Sequence, residues 1–244
     1  MRKILCFVCV LIALGLCAFA EGEWMWIEDP LPAPMDMMKL EGISIGIDPG
    51  HQRKQNSELE AVAPGSGEMK KKVSSGTAGV KTRVAEYEVN LDVAFQLRDA
   101  LEQLGCTVYM TRESHDVDIS NQERAIMMND LGVDLVLRLH CNGSVNEKTN
   151  GIGLYVNKTG AIAEVSNAAA EAILPAMTAS TGARSCGIFK RDSYTGLNWS
   201  TVPCILVEMG YMSNREEDVK LNDPEYQQKL VEGMVNGICA WFEH

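Results

Sequence analysis

The sequence predicts an α/β fold in a single domain, a mostly parallel twisted sheet with helices on both faces. Two observations carry that expectation. Short apolar runs closed by Pro, Gly or a polar residue alternate along the chain with longer segments of helical period, the pattern of strands joined by covering helices. No internal repeat interrupts the alternation across 244 residues, a length that suits one or two domains.

The elements follow in order. Ile43 to Asp48 is a β-branched run ended by Pro49-Gly50 and reads as a buried strand and a turn. Gln52 to Arg83 is polar, contains Lys70-Lys71-Lys72 and reads as a long loop of functional or mobile character. Asn90, Ala94, Leu97, Leu101 and Leu104 fall at helical spacing, with Gly105 as the stop. Cys106 to Thr111 is a strand. Ser120-Asn121-Gln122-Glu123 is a capping box opening a helix that ends near Gly132. Asp134 to Leu139 and Ile152 to Val156 are further strands. Gly160 to Leu174 is an alanine-rich helix that Pro175 should stop or kink. Pro203 to Val207 is the last strand, and Asp223-Pro224 starts a terminal helix with Leu230, Met234, Ile238 and Trp241 on one face.

Ahead of this domain, expected over residues 41–244, stand two other segments. Arg2 and Lys3, an apolar run from Ile4 to Leu16 and then Ala18-Phe19-Ala20 read as a secretory signal peptide over 1–20. That run is shorter than a membrane span, and Leu16 argues against a lipid anchor on Cys17. Residues 21–40, rich in Pro and Met, read as an arm or linker. Without the leader, 20 basic side chains face 33 acidic ones, a formal charge of −13, which excludes nucleic acid as a partner because phosphate binding needs a basic face. Cys106, Cys141, Cys186, Cys204 and Cys239 remain, an odd and scattered set that reads as small buried hydrophobes rather than a disulfide framework.

Ligands of open α/β sheets gather beyond the carboxyl ends of the strands. The first strand ends at Asp48-Pro49-Gly50-His51, the strand from Asp134 at His140-Cys141-Asn142, and the strand from Pro203 at Glu208; Glu86 and Glu88 open the amphipathic helix. Two histidines and a carboxylate from separate elements form a catalytic zinc set that leaves a fourth position for water, and Glu208 is then available as general base and acid. On spacing alone this reading and a structural role for the histidines stand even.

Ile45-Gly46-Ile47-Asp48-Pro49-Gly50-His51, Glu86-Tyr87-Glu88-Val89-Asn90-Leu91, Leu139-His140-Cys141-Asn142 and Pro203 to Asn214 resemble, in order, the motifs of zinc-dependent N-acetylmuramoyl-L-alanine amidases. The resemblance runs from about residue 43 to the C-terminus. It implies His51, Glu86 and His140 as ligands of one Zn2+ and Glu208 as the catalytic carboxylate. Glu86 is preferred to Glu88 because it stands four residues before Asn90. Arg112, Arg124, Asn129 and Asn142 also match, with structural roles expected. Gln52 and Cys141 depart from the usual residues without removing a ligand, and the insert around Ser74 to Val80 resembles that of a subset of these enzymes.

The activity so implied is hydrolysis of the amide between N-acetylmuramic acid and the L-alanine of the peptidoglycan stem peptide by a secreted, wall-associated bacterial enzyme. Peptidoglycan is the expected partner, no membrane span is expected once the leader is gone, and the absence of wall-binding repeats leaves room for a protein activator. Two other readings are a catalytically silent wall-binding or regulatory protein and a zinc peptidase acting within the stem peptide. Lys70-Lys71-Lys72 reads as a solvated loop face, and Trp199 as packing a loop against the sheet.

Overall fold

The structure, a computed structural model, describes residues 39–243. The expected leader and nearly all of the expected arm lie outside them. The elements are β1 (Ser44–Pro49), β2 (Asn56–Ala61), β3 (Met69–Val73), α1 (Glu86–Gln103), β4 (Thr107–Met110), α2 (Asn121–Leu131), β5 (Leu135–Asn142) and β6 (Ile152–Asn157), followed by α3 (Ala163–Thr181), β7 (Ser185–Arg191), α4 (Thr195–Asn198), β8 (Cys204–Tyr211), α5 (Arg215–Leu221) and α6 (Pro224–Phe242).

The central sheet runs β4-β1-β5-β8-β6-β7. Neighbours are parallel except β8 and β6, which run antiparallel. The sheet is therefore mostly parallel, as the alternation predicts. Strand periodicity divides its side chains between two faces. Ile45, Ile47, Leu135, Leu137, Leu139, Ile152, Leu154, Ile205 and Val207 join Val93 and Leu97 of α1, Ile173 and Met177 of α3, and Leu230, Met234 and Ile238 of α6 in the main core. On the other face Val136, Cys204 and Leu206 join a smaller cluster with Met128 of α2, Val133 and Leu197 of α4, against which Met127, Tyr155, Tyr194 and Val202 pack.

Local signals set the helix ends. Ser120 caps α2 through the Glu123 amide while Glu123 returns a bond to the Ser120 amide, and Gly132 closes the helix in the left-handed conformation. Asp223 caps α6 with Pro224 in its first turn. Cys106, Cys141, Cys204 and Cys239 are buried free thiols, as expected, whereas Cys186 is only half-buried.

Several elements differ from the sequence reading. The polar segment 52–83 holds an antiparallel hairpin, β2–β3. The elements β7, α4 and α5 were not expected, and α3 does not stop at Pro175 but continues to Thr181. Pro175 is exposed, so the carbonyl it leaves free is open to water, and tertiary packing holds the helix on both sides. Gly233 and Gly237 of α6 lie against Met177 and Ile173 of α3, where a Cβ would run into backbone. The two helices thus approach closely at the points flanking the proline.

Candidate active site

His51 and Glu86 sit where an element ends or begins, His140 stands near the end of its strand, and Glu208 lies within β8, which continues past the expected end to Tyr211. His51 lies two residues beyond β1, with φ 60. Glu86 opens α1, His140 stands near the end of β5, and Glu208 lies directly across from His140 on β8. Asp48, Arg138, His140, Leu206 and Glu208 share the face opposite the main core by strand alternation.

Glu86 is the hub. Its Oε1 lies 3.2 Å from His51 Nε2 and 3.1 Å from His140 Nδ1. Donor atoms of the three residues all lie within 4.8 Å of one another, and the imidazole rings meet edge to face at 4.8 Å. The amides of Thr77 and Cys141 donate to the same carboxylate at 2.8 and 3.1 Å, and Asn90 Nδ2 donates to the Gly50 carbonyl at 3.1 Å. His51 Nδ1 bonds the Ser74 carbonyl at 2.9 Å. A carbonyl only accepts, so Nδ1 carries a proton toward Ser74, and Nε2 is the nitrogen turned to Glu86 and His140. Gly50 lies beneath the His140 ring, and a Cβ there would occupy the ring's place.

Charge follows from this packing. Burial acts to raise the Glu86 carboxyl, but the hydrogen bonds and charge of His140 and His51 hold it well below the usual range. Burial pulls His140 down. Burial acts the same way on His51, where the bonds to Glu86 and Ser74 overcome it and raise the ring. Glu208 is pushed well above the ordinary carboxylate value by burial and then by the charge of Glu86. Its Oε2 is buried without a hydrogen-bond partner among the described residues.

Two nitrogens and a carboxylate oxygen at these separations, with one ring nitrogen locked as a donor elsewhere, fit a divalent ion with a coordination position to spare. They face a cleft of about 580 Å³ whose walls include Lys70, Lys71, Asn121, Arg138, Asn142, Tyr194 and Glu208.

The other sequence candidates separate from this group. Glu88 bonds Tyr87 Oη at 2.9 Å and takes no part in the cluster. Arg112 donates to the carbonyls of Pro49, Gly50 and Tyr87, which fixes the β1 turn. Arg124 pairs with buried Asp48 at 2.8 Å, Asn129 donates to the Trp199 carbonyl, and Trp199 Nε1 holds the Ala61 carbonyl of the hairpin at 2.8 Å. Asn142 instead lines the cleft. So do Lys70 and Lys71; Lys71 is exposed, as a solvated face requires, while Lys70 is half-buried and its Nζ donates to the Ser193 carbonyl at 2.5 Å. Arg138 was missed, although an arginine inside the apolar run Leu135 to Leu139 was a visible signal.

The family described as N-acetylmuramoyl-L-alanine amidase matches residues 45–240. The chain is 28% identical over 201 residues to the N-acetylmuramoyl-L-alanine amidase LytC of Bacillus subtilis, covering 82% of this chain but 36% of that protein, so it spans about a third of that relative's length. It is 26% identical over 214 residues to an N-acetylmuramoyl-L-alanine amidase of Mycobacterium tuberculosis, covering 83% and 87%. A crystal structure of an N-acetylmuramyl-L-alanine amidase from Mycobacterium smegmatis superposes with a TM-score of 0.77 at 25% identity, covering 84% of this chain and 98% of that one.

Proposed function

The chain belongs to the N-acetylmuramoyl-L-alanine amidase family, and from that premise we propose that it is a secreted, zinc-dependent hydrolase of the amide joining N-acetylmuramic acid to the stem peptide. His51, Glu86 and His140 would hold the ion. Once bound there, zinc supplies a water of lowered pKa and a Lewis acid for the amide carbonyl.

The residues of the chain do the rest. Glu208 Oε2 takes the proton of the attacking water and returns it to the departing amine of L-alanine. Burial in the cleft wall favours the protonated carboxyl between those two transfers. Thr77 and Cys141 keep Glu86 oriented through their amides, and Ser74 keeps the His51 ring in its tautomer. The observation that carries the reading is the unpartnered Glu208 Oε2 in the same cleft as the His-Glu-His group. A buried acid without a partner costs stability and is retained for its chemistry.

Mass spectrometry of peptidoglycan digested by the metal-loaded protein, with and without chelator, tests the proposal. Peptides beginning with L-alanine, released by the wild type and absent with chelator or with Glu208→Ala, are the expected result. Cleavage inside the peptide would replace the amidase by a stem peptidase. Binding without any product would replace it by a silent wall-binding protein. Secretion is tested separately by the mass of the exported chain, expected to start after residue 20.

A further inference from the structure

Arg138 is the cleft residue that this chemistry leaves unused. It is 3% exposed, stands two residues before His140 on β5, and yet lines the cleft. Its Nη2 lies 3.0 Å from Asp48 Oδ2 and donates to Asn121 Oδ1 at 3.1 Å, while its Nη1 makes no hydrogen bond among the described residues. Asp48 is already paired with Arg124. Two guanidiniums therefore face the Asp48 carboxylate, and Glu60, another carboxyl whose charge reaches Arg138, makes no ion pair with it among the described residues. Gly196 lies against the guanidinium so closely that a Cβ there would occupy its place. The β5–β8 register sets Leu206 beside Arg138 and Glu208 beside His140, so an apolar residue separates the arginine from the acid's position.

A second cation stands nearby. Asn121, which accepts from Arg138, donates through Nδ2 to the Lys72 carbonyl at 2.7 Å and so fixes β3 beside the arginine. Lys71, next along β3, is exposed, lines the same cleft, and has no side-chain ion pair among the described residues.

We propose that Arg138 and Lys71 form a carboxylate-binding subsite that recognises a free carboxylate on the second residue of the stem peptide; the proposal rests on the amidase reading above. The spacing fits. A group on the second residue lies about 7 Å from the scissile amide in an extended peptide, and two residues along β5 separate Arg138 from His140 by about 7 Å. A carboxamide at that place offers one acceptor oxygen and no charge, so it forfeits the charge-assisted bonds that a guanidinium makes with a carboxylate.

The test compares L-alanyl-γ-D-glutamyl-L-lysine with the same tripeptide carrying a carboxamide in place of the glutamyl α-carboxylate. Calorimetric titration of the metal-loaded protein should show the carboxylate form binding about ten-fold tighter or more. Lys71→Gln, on an exposed side chain, should narrow that ratio about three-fold without moving the thermal unfolding midpoint. Equal binding of the two tripeptides by the wild type, or no binding of either, overturns the subsite. The muramoyl forms separate this from the parent reading: equal hydrolysis of both overturns the subsite and keeps the amidase, whereas selective binding without hydrolysis does the reverse.

Discussion

One face of the central sheet and the other are built from the same strands yet bury opposite things. Toward α1, α3 and α6 the strands present Ile45, Ile47, Leu135, Leu137, Leu139, Ile205 and Val207 to a continuous apolar core. Toward α2 and α4 the alternate positions are Asp48, Arg138, His140 and Glu208, with only a small apolar cluster beneath them. The first face is stabilised by area removed from water. The second is held by ion pairs and hydrogen bonds, with one acid left unanswered. Apolar burial and chemistry are thereby separated by about the thickness of one sheet, so substitutions in the apolar core should change stability and substitutions at Glu208 should change turnover, each with little of the other.

The largest effect is expected at Glu208. Glu208→Gln should lower turnover by about 10²–10⁴-fold while metal content is retained and thermal unfolding stays level or moves up, since a buried unpartnered acid is removed. A fall in both properties would erase the separation. Asp48→Asn comes next, because it strands two guanidiniums; removing one partner of a buried pair costs about 3–5 kcal/mol, to be read from denaturant unfolding.

The same residue gives the protein an acid limb. Burial acts to raise the Asp48 carboxyl, but Arg138 and Arg124 hold it well below the usual carboxylate value of about 3.9. Its contribution is therefore present above that unfolded value and is lost as pH falls toward the folded one. Unfolding free energy should drop below about pH 4 in the wild type, and Asp48→Asn should flatten the drop.

On the opposite face Leu137→Ala should cost about 2–5 kcal/mol of stability while the folded fraction keeps its turnover, measured at a temperature where the variant is folded. The smallest effect belongs to Trp199→Phe, which removes the donor to the Ala61 carbonyl. A loss of about 1 kcal/mol and faster hydrogen exchange confined to β2–β3 are expected.

The division of faces also explains what could be read from the chain. Strands with an apolar alternate set announce themselves, and the polar residues that break the run at its carboxyl end mark the cleft; His51, Glu86, His140 and Glu208 come together for that reason. The hairpin was hidden because Asn56 to Ala61 and Met69 to Val73 form a two-stranded sheet with little apolar content, held by bonds such as that of Asn121 to Lys72. β7 lies at the sheet's edge and carries Gly187 at φ +99 beside a register shift, which breaks its alternation. Helix α3 passes Pro175 because Gly233 and Gly237, far along the sequence, let α6 brace it. These are long-range causes, invisible to a local window.

Gly50 extends the same lesson to a position with no side chain. The His140 ring lies in the space that a Cβ at position 50 would need, so the imidazole is located as much by missing atoms as by the bonds around it. Any replacement there would displace the ring or the turn. In a mutational scan scored by activity, position 50 would tolerate as little as a ligand does, and a catalogue of intolerant positions would then include a residue that performs no chemistry.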